Sequence, residues 1–257
     1  MTLVRAKKHL GQHFLTDLSV ARRIADSLPA DCTLPILEVG PGMGVLSQFV
    51  VEKPNRFTAV EIDSESVEYL RQYLPALDVV EGDFLKMNLD RLFEGAKFAV
   101  IGNFPYNISS QIFFRVLDHR DRIPCVVGMV QKEVAERIAS PHGNKVYGIT
   151  SVLLQAFYDI EYLFTVPEHV FDPPPKVKSA VIRLTRNNTE RLACDEKLFV
   201  RVVKTAFNQR RKTLRNSLKP LLQNAACAEP IFDKRPEQLS VADFVALTNL
   251  MATKSDV

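Results

Sequence analysis

Asn103-Phe104-Pro105-Tyr106 brings together residue types suited to one difficult reaction. An aromatic amine such as the exocyclic nitrogen of adenine is a poor nucleophile, because its lone pair is delocalised into the ring. Two oxygen acceptors aimed at its two hydrogens favour a more tetrahedral nitrogen and direct the lone pair outward. The Asn103 side-chain oxygen and the Phe104 backbone carbonyl can supply that pair. Pro105 fixes the turn, and Tyr106 offers a face on which an extruded base can stack. The same residues can also be read as an ordinary turn with a half-buried tyrosine. The segments upstream weigh against that blander reading.

Glu38-Val39-Gly40-Pro41-Gly42-Met43-Gly44 reads as a strand end, a tight turn and a helix start. Glycines there let the backbone turn sharply and approach a ligand. Val60-Glu61-Ile62-Asp63 ends the next strand. A carboxylate at Glu61 can accept hydrogen bonds from both hydroxyls of a ribose, with Ile62 beside it. The nicotinamide fingerprint needs a third glycine at position 45, which is Val45. Glycines at 40, 42 and 44 behind an acid look instead like the S-adenosyl-L-methionine (SAM) loop of Rossmann-like methyltransferases. A sulfonium methyl is already activated, so the chemistry requires alignment and electrostatics and no metal. Gly82-Asp83-Phe84 ends a third strand. Asp83 can accept from a cofactor amine while Phe84 packs on the ring, although the tripeptide is also a common strand-end turn.

Two residues stay open on chemistry alone. Phe171 precedes the stiff Pro173-Pro174-Pro175 run. It is either a clamp on the far face of the target base or a core aromatic where a strand begins. His13, in Gly11-Gln12-His13-Phe14-Leu15, has no role that its own chemistry assigns.

The elements that must hold these residues alternate between strand and helix. Candidate strands are Ile36–Val39, Phe57–Ile62, Asp78–Glu81, Phe98–Ile101, Cys125–Val130, Asp159–Phe164 and Val177–Leu184. Candidate helices are Ser19–Ser27, Leu46–Val51, Ser64–Tyr73 (with Ser64 as N-cap), Ser109–Leu117 and Lys132–Ala139. Such alternation predicts an α/β fold with a parallel sheet. The last two strands predict an antiparallel hairpin at its edge. After Asn187-Asn188-Thr189 the pattern is helical. The expected division is a Rossmann-like domain over 1–186 and a helical domain over 187–257.

The 257 residues carry a net charge of +3, unevenly placed. Residues 1–16 hold Arg5, Lys7 and Lys8 without an acid. Residues 197–219 hold eight cations without an acid, so the rest of the chain sums to −8. Clustered cations on an acidic body suit an anionic polymer. A membrane surface is the weaker reading, with Phe199, Val202, Val203 and Phe207 as one face of a basic amphipathic helix. No apolar stretch is long enough for a transmembrane span or a signal peptide. Cys32, Cys125, Cys194 and Cys227 lie far apart, which argues against zinc or a disulfide framework and for a cytoplasmic protein.

Taken with GQHFL (11–15), NFPY (103–106), VQKEVAERI (130–138), FDPPPKVKSAVIRL (171–184) and FNQRRKTLRNSL (207–218), the sequence closely resembles the ribosomal RNA adenine dimethyltransferase family. More narrowly, it resembles its bacterial small-subunit branch. The resemblance implies SAM as donor and two methylations at N6 of each of two adjacent adenosines in the 3′-terminal hairpin loop of 16S rRNA. It implies action on the 30S ribosomal subunit, and nothing in the sequence demands more than a monomer. It places His13, Leu15, Gly40, Gly42, Glu61, Ile62, Asp83, Phe84 and Asn103 at the cofactor. Asn103, Phe104, Pro105, Tyr106 and Phe171 fall at the target base, and Lys7, Lys8, Arg210, Arg211, Lys212 and Arg215 on RNA. His13 stands where many bacterial members have Asn, and Phe104 where Leu is common. Alternatives are a large-subunit RNA methyltransferase and a non-catalytic ribosome assembly factor. A nicotinamide dehydrogenase is disfavoured by Val45.

Overall fold

The computed structural model describes residues 4–222 and 228–255. Cys227 lies outside the described residues. The strands are β1 (Phe14–Leu15), β2 (Ile36–Val39), β3 (Phe57–Glu61), β4 (Asp78–Glu81), β5 (Ala99–Asn103), β6 (Cys125–Gln131), β7 (Tyr158–Val166), β8 (Phe171–Asp172) and β9 (Ser179–Arg186). The helices are α1 (Leu18–Ala25), α2 (Ser47–Val50), α3 (Ser64–Tyr73), α4 (Ser109–Asp118), α5 (Lys132–Ala139), α6 (Ile149–Gln155), α7 (Glu196–Asn208), α8 (Leu214–Ser217), α9 (Lys219–Leu222) and α10 (Val241–Ser255).

Seven strands form one sheet in the order β4-β3-β2-β5-β6-β9-β7. β2 pairs in parallel with β3 and with β5, β3 with β4, and β5 with β6. β9 runs antiparallel to β6 and separates it from β7, which lies at the edge. β2 and β5 are buried along nearly their whole length, as strands in a covered parallel sheet should be. The chain winds outward in both directions from the β2–β5 pair, so the carboxyl ends of these two strands form the switch point where α/β folds bind ligands. A separate two-residue ladder joins β1 to β8, pairing Leu15 with Phe171.

The cap of α3 and the division of the chain differ from the sequence reading. Asp63, and not Ser64, caps α3: it has extended backbone angles and its side chain accepts from the Glu65 amide. A carboxylate at that place also favours the positive helix end. The residues also group otherwise than the expected cut at 186. One compact unit comprises 1–135 and 159–186, the other 136–158 and 187–257. Segment 136–158 belongs with the later helices for a packing reason. α6 contacts α7 and α10, and the Tyr147 ring meets Phe207 at 6.2 Å.

In the second unit, α7 is capped by Asp195, whose side chain accepts from Leu198 N. It buries Phe199, Val202, Val203 and Ala206. That apolar face is therefore covered by protein, which removes the membrane-surface reading.

Candidate active site

A cleft open to solvent lies over the carboxyl ends of β2, β3, β4 and β5. Its floor is the glycine turn after β2. Gly40, Gly42 and Gly44 all have positive φ, at 70°, 57° and 77°. A Cβ on Gly42 would lie 2.9 Å from the Phe14 ring, and one on Gly44 2.4 Å from Leu74 Cδ1. Both conformation and space therefore demand glycine.

Glu61, at the end of β3, fastens this turn. Its Oε2 accepts from Gly42 N at 3.0 Å, and its Oε1 from Ile62 N and Asp63 N at 2.8 and 2.9 Å. Burial raises its pKa, and the three backbone donors oppose the shift. A carboxylate has about four lone-pair sites. Three are used here by backbone amides.

Glu38 is an acid to which the sequence reading gives no role. It lines the cleft with 1% exposure, and Ser47 Oγ donates to its Oε2 at 2.6 Å. Desolvation pushes its carboxyl up to about 8, against the Ser47 bond and with help from the Glu61 charge. The signal is present in the sequence, as the acid two residues before Gly40.

After β5, the turn Asn103–Tyr106 forms the opposite wall. Asn103 Nδ2 donates to the His13 carbonyl at 3.0 Å. That bond fixes the amide, so Oδ1 is the atom left to accept. Phe104 N donates to Met129 O, and its ring is wholly buried against Gly102 and Gly128. A Cβ on Gly128 would come within 2.5 Å of that ring. The Phe104 side chain thus pins the turn to the sheet, and the residue lines the cleft. The Tyr106 hydroxyl bonds to Ser179 Oγ, and its ring stacks on His13 at 5.3 Å. His13 Nδ1 lies 2.7 Å from the Pro173 carbonyl, so that nitrogen carries the proton.

His13, Leu15, Gly40, Gly42, Glu61, Ile62, Asp83, Phe84, Asn103, Phe104, Pro105 and Tyr106 all line this one cleft. Phe171 does not. It is 3% exposed and packs in the main core, because the ladder to Leu15 turns it inward. Of its two readings, the core aromatic is the one found.

The cations assigned to RNA differ in what holds them. Lys7, its side chain 29% exposed, is bound to Asp63 and Glu65. Arg215 pairs with Asp233 at 2.7 Å, an acid outside the window that looked free of them. Arg210 donates to the Lys145 carbonyl. Lys8, Arg211 and Lys212 are exposed.

The cleft is lined by the carboxyl groups of Glu38, Glu61 and Asp83, with neither Lys nor Arg. That suits a cationic ligand and repels a pyrophosphate. Ile62, 52% exposed, and Phe84 add apolar surface for a flat ring. The residues present therefore fit a nucleoside bearing a sulfonium and an ammonium.

Comparison with known proteins points the same way. A profile of ribosomal RNA adenine dimethylases matches residues 3–253. A protein of Phocaeicola vulgatus named ribosomal RNA small subunit methyltransferase A is 63% identical over 253 residues, which is 97% of this chain and 90% of that one. One of the same name from Cytophaga hutchinsonii is 61% identical, covering 99% and 100%. Among solved structures, a dimethyladenosine transferase from Plasmodium falciparum matches in fold with a TM-score of 0.81 at 23% identity, over 95% of this chain and 98% of that one. The 23S rRNA methyltransferase ErmE matches with a TM-score of 0.69 at 27% identity, over 92% and 99%.

Proposed function

This chain belongs to the ribosomal RNA adenine dimethylase family, and on that premise we propose that it methylates N6 of two adjacent adenosines in the 3′-terminal hairpin loop of 16S rRNA. The enzyme is an rRNA adenine N6,N6-dimethyltransferase and its cofactor is S-adenosyl-L-methionine. The substrate is the 30S particle during subunit biogenesis, and the enzyme acts as a cytoplasmic monomer. Among the described residues no helix is long and apolar enough to cross a membrane.

The observation that carries the reading is the Asn103 amide held by the His13 carbonyl at the cleft wall. When bound, the cofactor supplies a methyl group already activated by its sulfonium. Glu61, Asp83, Ile62 and the glycine turn would hold its nucleoside, and Glu38 adds a carboxyl to the same cleft. Asn103 Oδ1 and the Phe104 carbonyl accept the two hydrogens of the target amine. They thereby favour a pyramidal nitrogen whose lone pair is free to attack. Tyr106, held by Ser179, orients the base. A strong base is not required before attack, since the proton can leave afterwards to water. Fixing the acceptors in advance lowers the reorganisation needed at reaction, which is where alignment contributes most.

The small-subunit branch is favoured over the large-subunit one because relatives at 61–63% identity carry the small-subunit name, whereas the 23S enzyme is 27% identical. Retention of Glu61, Asp83, Asn103 and Tyr106 in one cleft argues against a non-catalytic assembly factor. The test is mass spectrometry of rRNA after incubating the enzyme and cofactor with unmethylated 30S or 50S particles. Dimethylation of two neighbouring adenosines near the 16S 3′ end is expected. Methylation of 23S rRNA, or binding to 30S without any transfer, would replace this reading.

A further inference from the structure

Segment 10–15 forms one wall of the cofactor cleft, yet regular secondary structure gives it little support. Besides the short helical turn Lys8–Leu10, it has only the two-residue ladder between β1 and β8. Ladders this short are weak on their own. Side chains do the holding instead. The Lys7 ammonium bonds to Asp63 Oδ1 and reaches Glu65 Oε1 at 3.1 Å. Gln12 Nε2 donates to Asp63 Oδ2 at 3.3 Å, and Gln12 Oε1 accepts from the Lys7 backbone amide at 2.8 Å.

Asp63 is a demanding partner. Its side chain is 1% exposed, against 29% for Lys7. Burial opposes its charge, but hydrogen bonds from Lys7, Gln12 and Ser66 outweigh that and hold its carboxyl below the usual range. A carboxylate so placed is costly to leave unpaired. Two of its side-chain donors come from the N-terminal segment, so loosening the segment exposes a poorly compensated charge.

The network continues into both halves of the site. Asp63 N donates to Glu61 Oε1, and Glu61 Oε2 holds Gly42 N. On the other side the His13 carbonyl fixes Asn103. Gly11, with φ 66°, passes so close to Asn107 that a Cβ would lie 2.5 Å from its Oδ1.

We infer that Lys7 and Asp63 are positioning residues for the methyl donor, a latch that keeps segment 10–15 in place as the cleft wall and so slows cofactor release. The inference rests on the methyl-transfer reading above. It also reassigns Lys7, which charge clustering alone would put on RNA.

The test uses full-length enzyme and compares Lys7→Met, Lys7→Arg and Asp63→Asn with wild type. Isothermal titration gives the SAM Kd, filter binding at several salt concentrations gives 30S affinity, and thermal melting confirms folding. Lys7→Met should weaken SAM binding about tenfold, in keeping with the loss of a partly buried ion pair. Its 30S affinity and salt slope should stay at wild-type values, and Lys7→Arg should restore most of the cofactor affinity. Asp63→Asn should weaken SAM binding in the same direction. A folded Lys7→Met that binds SAM as tightly as wild type overturns the latch, as does one that loses only 30S affinity. Wild-type enzyme that binds no SAM overturns the methyl-transfer reading itself.

Discussion

Glu38 shows what a single buried carboxyl does to the whole. Its pKa of about 8 stands above the ordinary 4.5 because burial disfavours its charged form. The folded protein therefore keeps a proton that the unfolded chain loses above pH about 4.5. Stability from this group is fully present below that value and is lost as pH rises through about 8. Glu38→Gln retains an oxygen to accept from Ser47 and cannot ionise. The stability gap between variant and wild type should shift in favour of the variant from pH 5 to pH 8, as read by denaturant unfolding. A constant gap would show that Glu38 ionises freely in the fold. At this scale the sequence was legible in naming Asn103, Glu61 and Asp83, which the fold brings to one cleft. It was not legible at Phe171 or Lys7. The direction of Phe171 is set by a two-residue ladder to Leu15, and the partner of Lys7 lies 56 residues away. Neither relation leaves a trace in local pattern.

The glycine turn is the element on which the cofactor side depends. Gly42 combines a positive φ with a ring 2.9 Å from its absent Cβ. Gly42→Ala should cost about 1–3 kcal/mol of stability and weaken SAM binding, measured by denaturant unfolding and titration. An alanine variant of unchanged stability and affinity would mean that the turn relaxes freely. Strands were readable because nearly continuous apolar runs such as that of β6 leave little choice in a covered sheet. α6 was missed because Ile149–Gln155 spans only seven residues, none of them exposed, too few to set a clear period. The cap of α3 was displaced by one residue, since Asp63 and Ser64 are both good caps and only the backbone angles choose between them.

At the scale of the whole molecule, charge was legible in amount and sign but not in availability. The window 197–219 contains no acid, yet Asp233 reaches Arg215 from outside it. The cut at 186 was read from a linker, but segment 136–158 packs with the later helices. Long-range pairing of this kind is invisible to composition. Arg210 and Arg211 remain the proposed phosphate ligands. Arg210→Glu with Arg211→Glu should weaken 30S binding and lower its salt slope by about one for each phosphate no longer neutralised. Filter binding across salt concentrations checks this, and unchanged affinity and slope would remove both residues from the interface.

The account depends most on the acceptor pair at Asn103 and Phe104. Single-turnover methyl transfer to unmethylated 30S particles by Asn103→Ala, at saturating cofactor and with folding and cofactor loading verified, tests it directly. The rate should fall by about 10²–10³, the usual effect of removing one preorganised polar group that acts on the transition state. Transfer at the wild-type rate would contradict it.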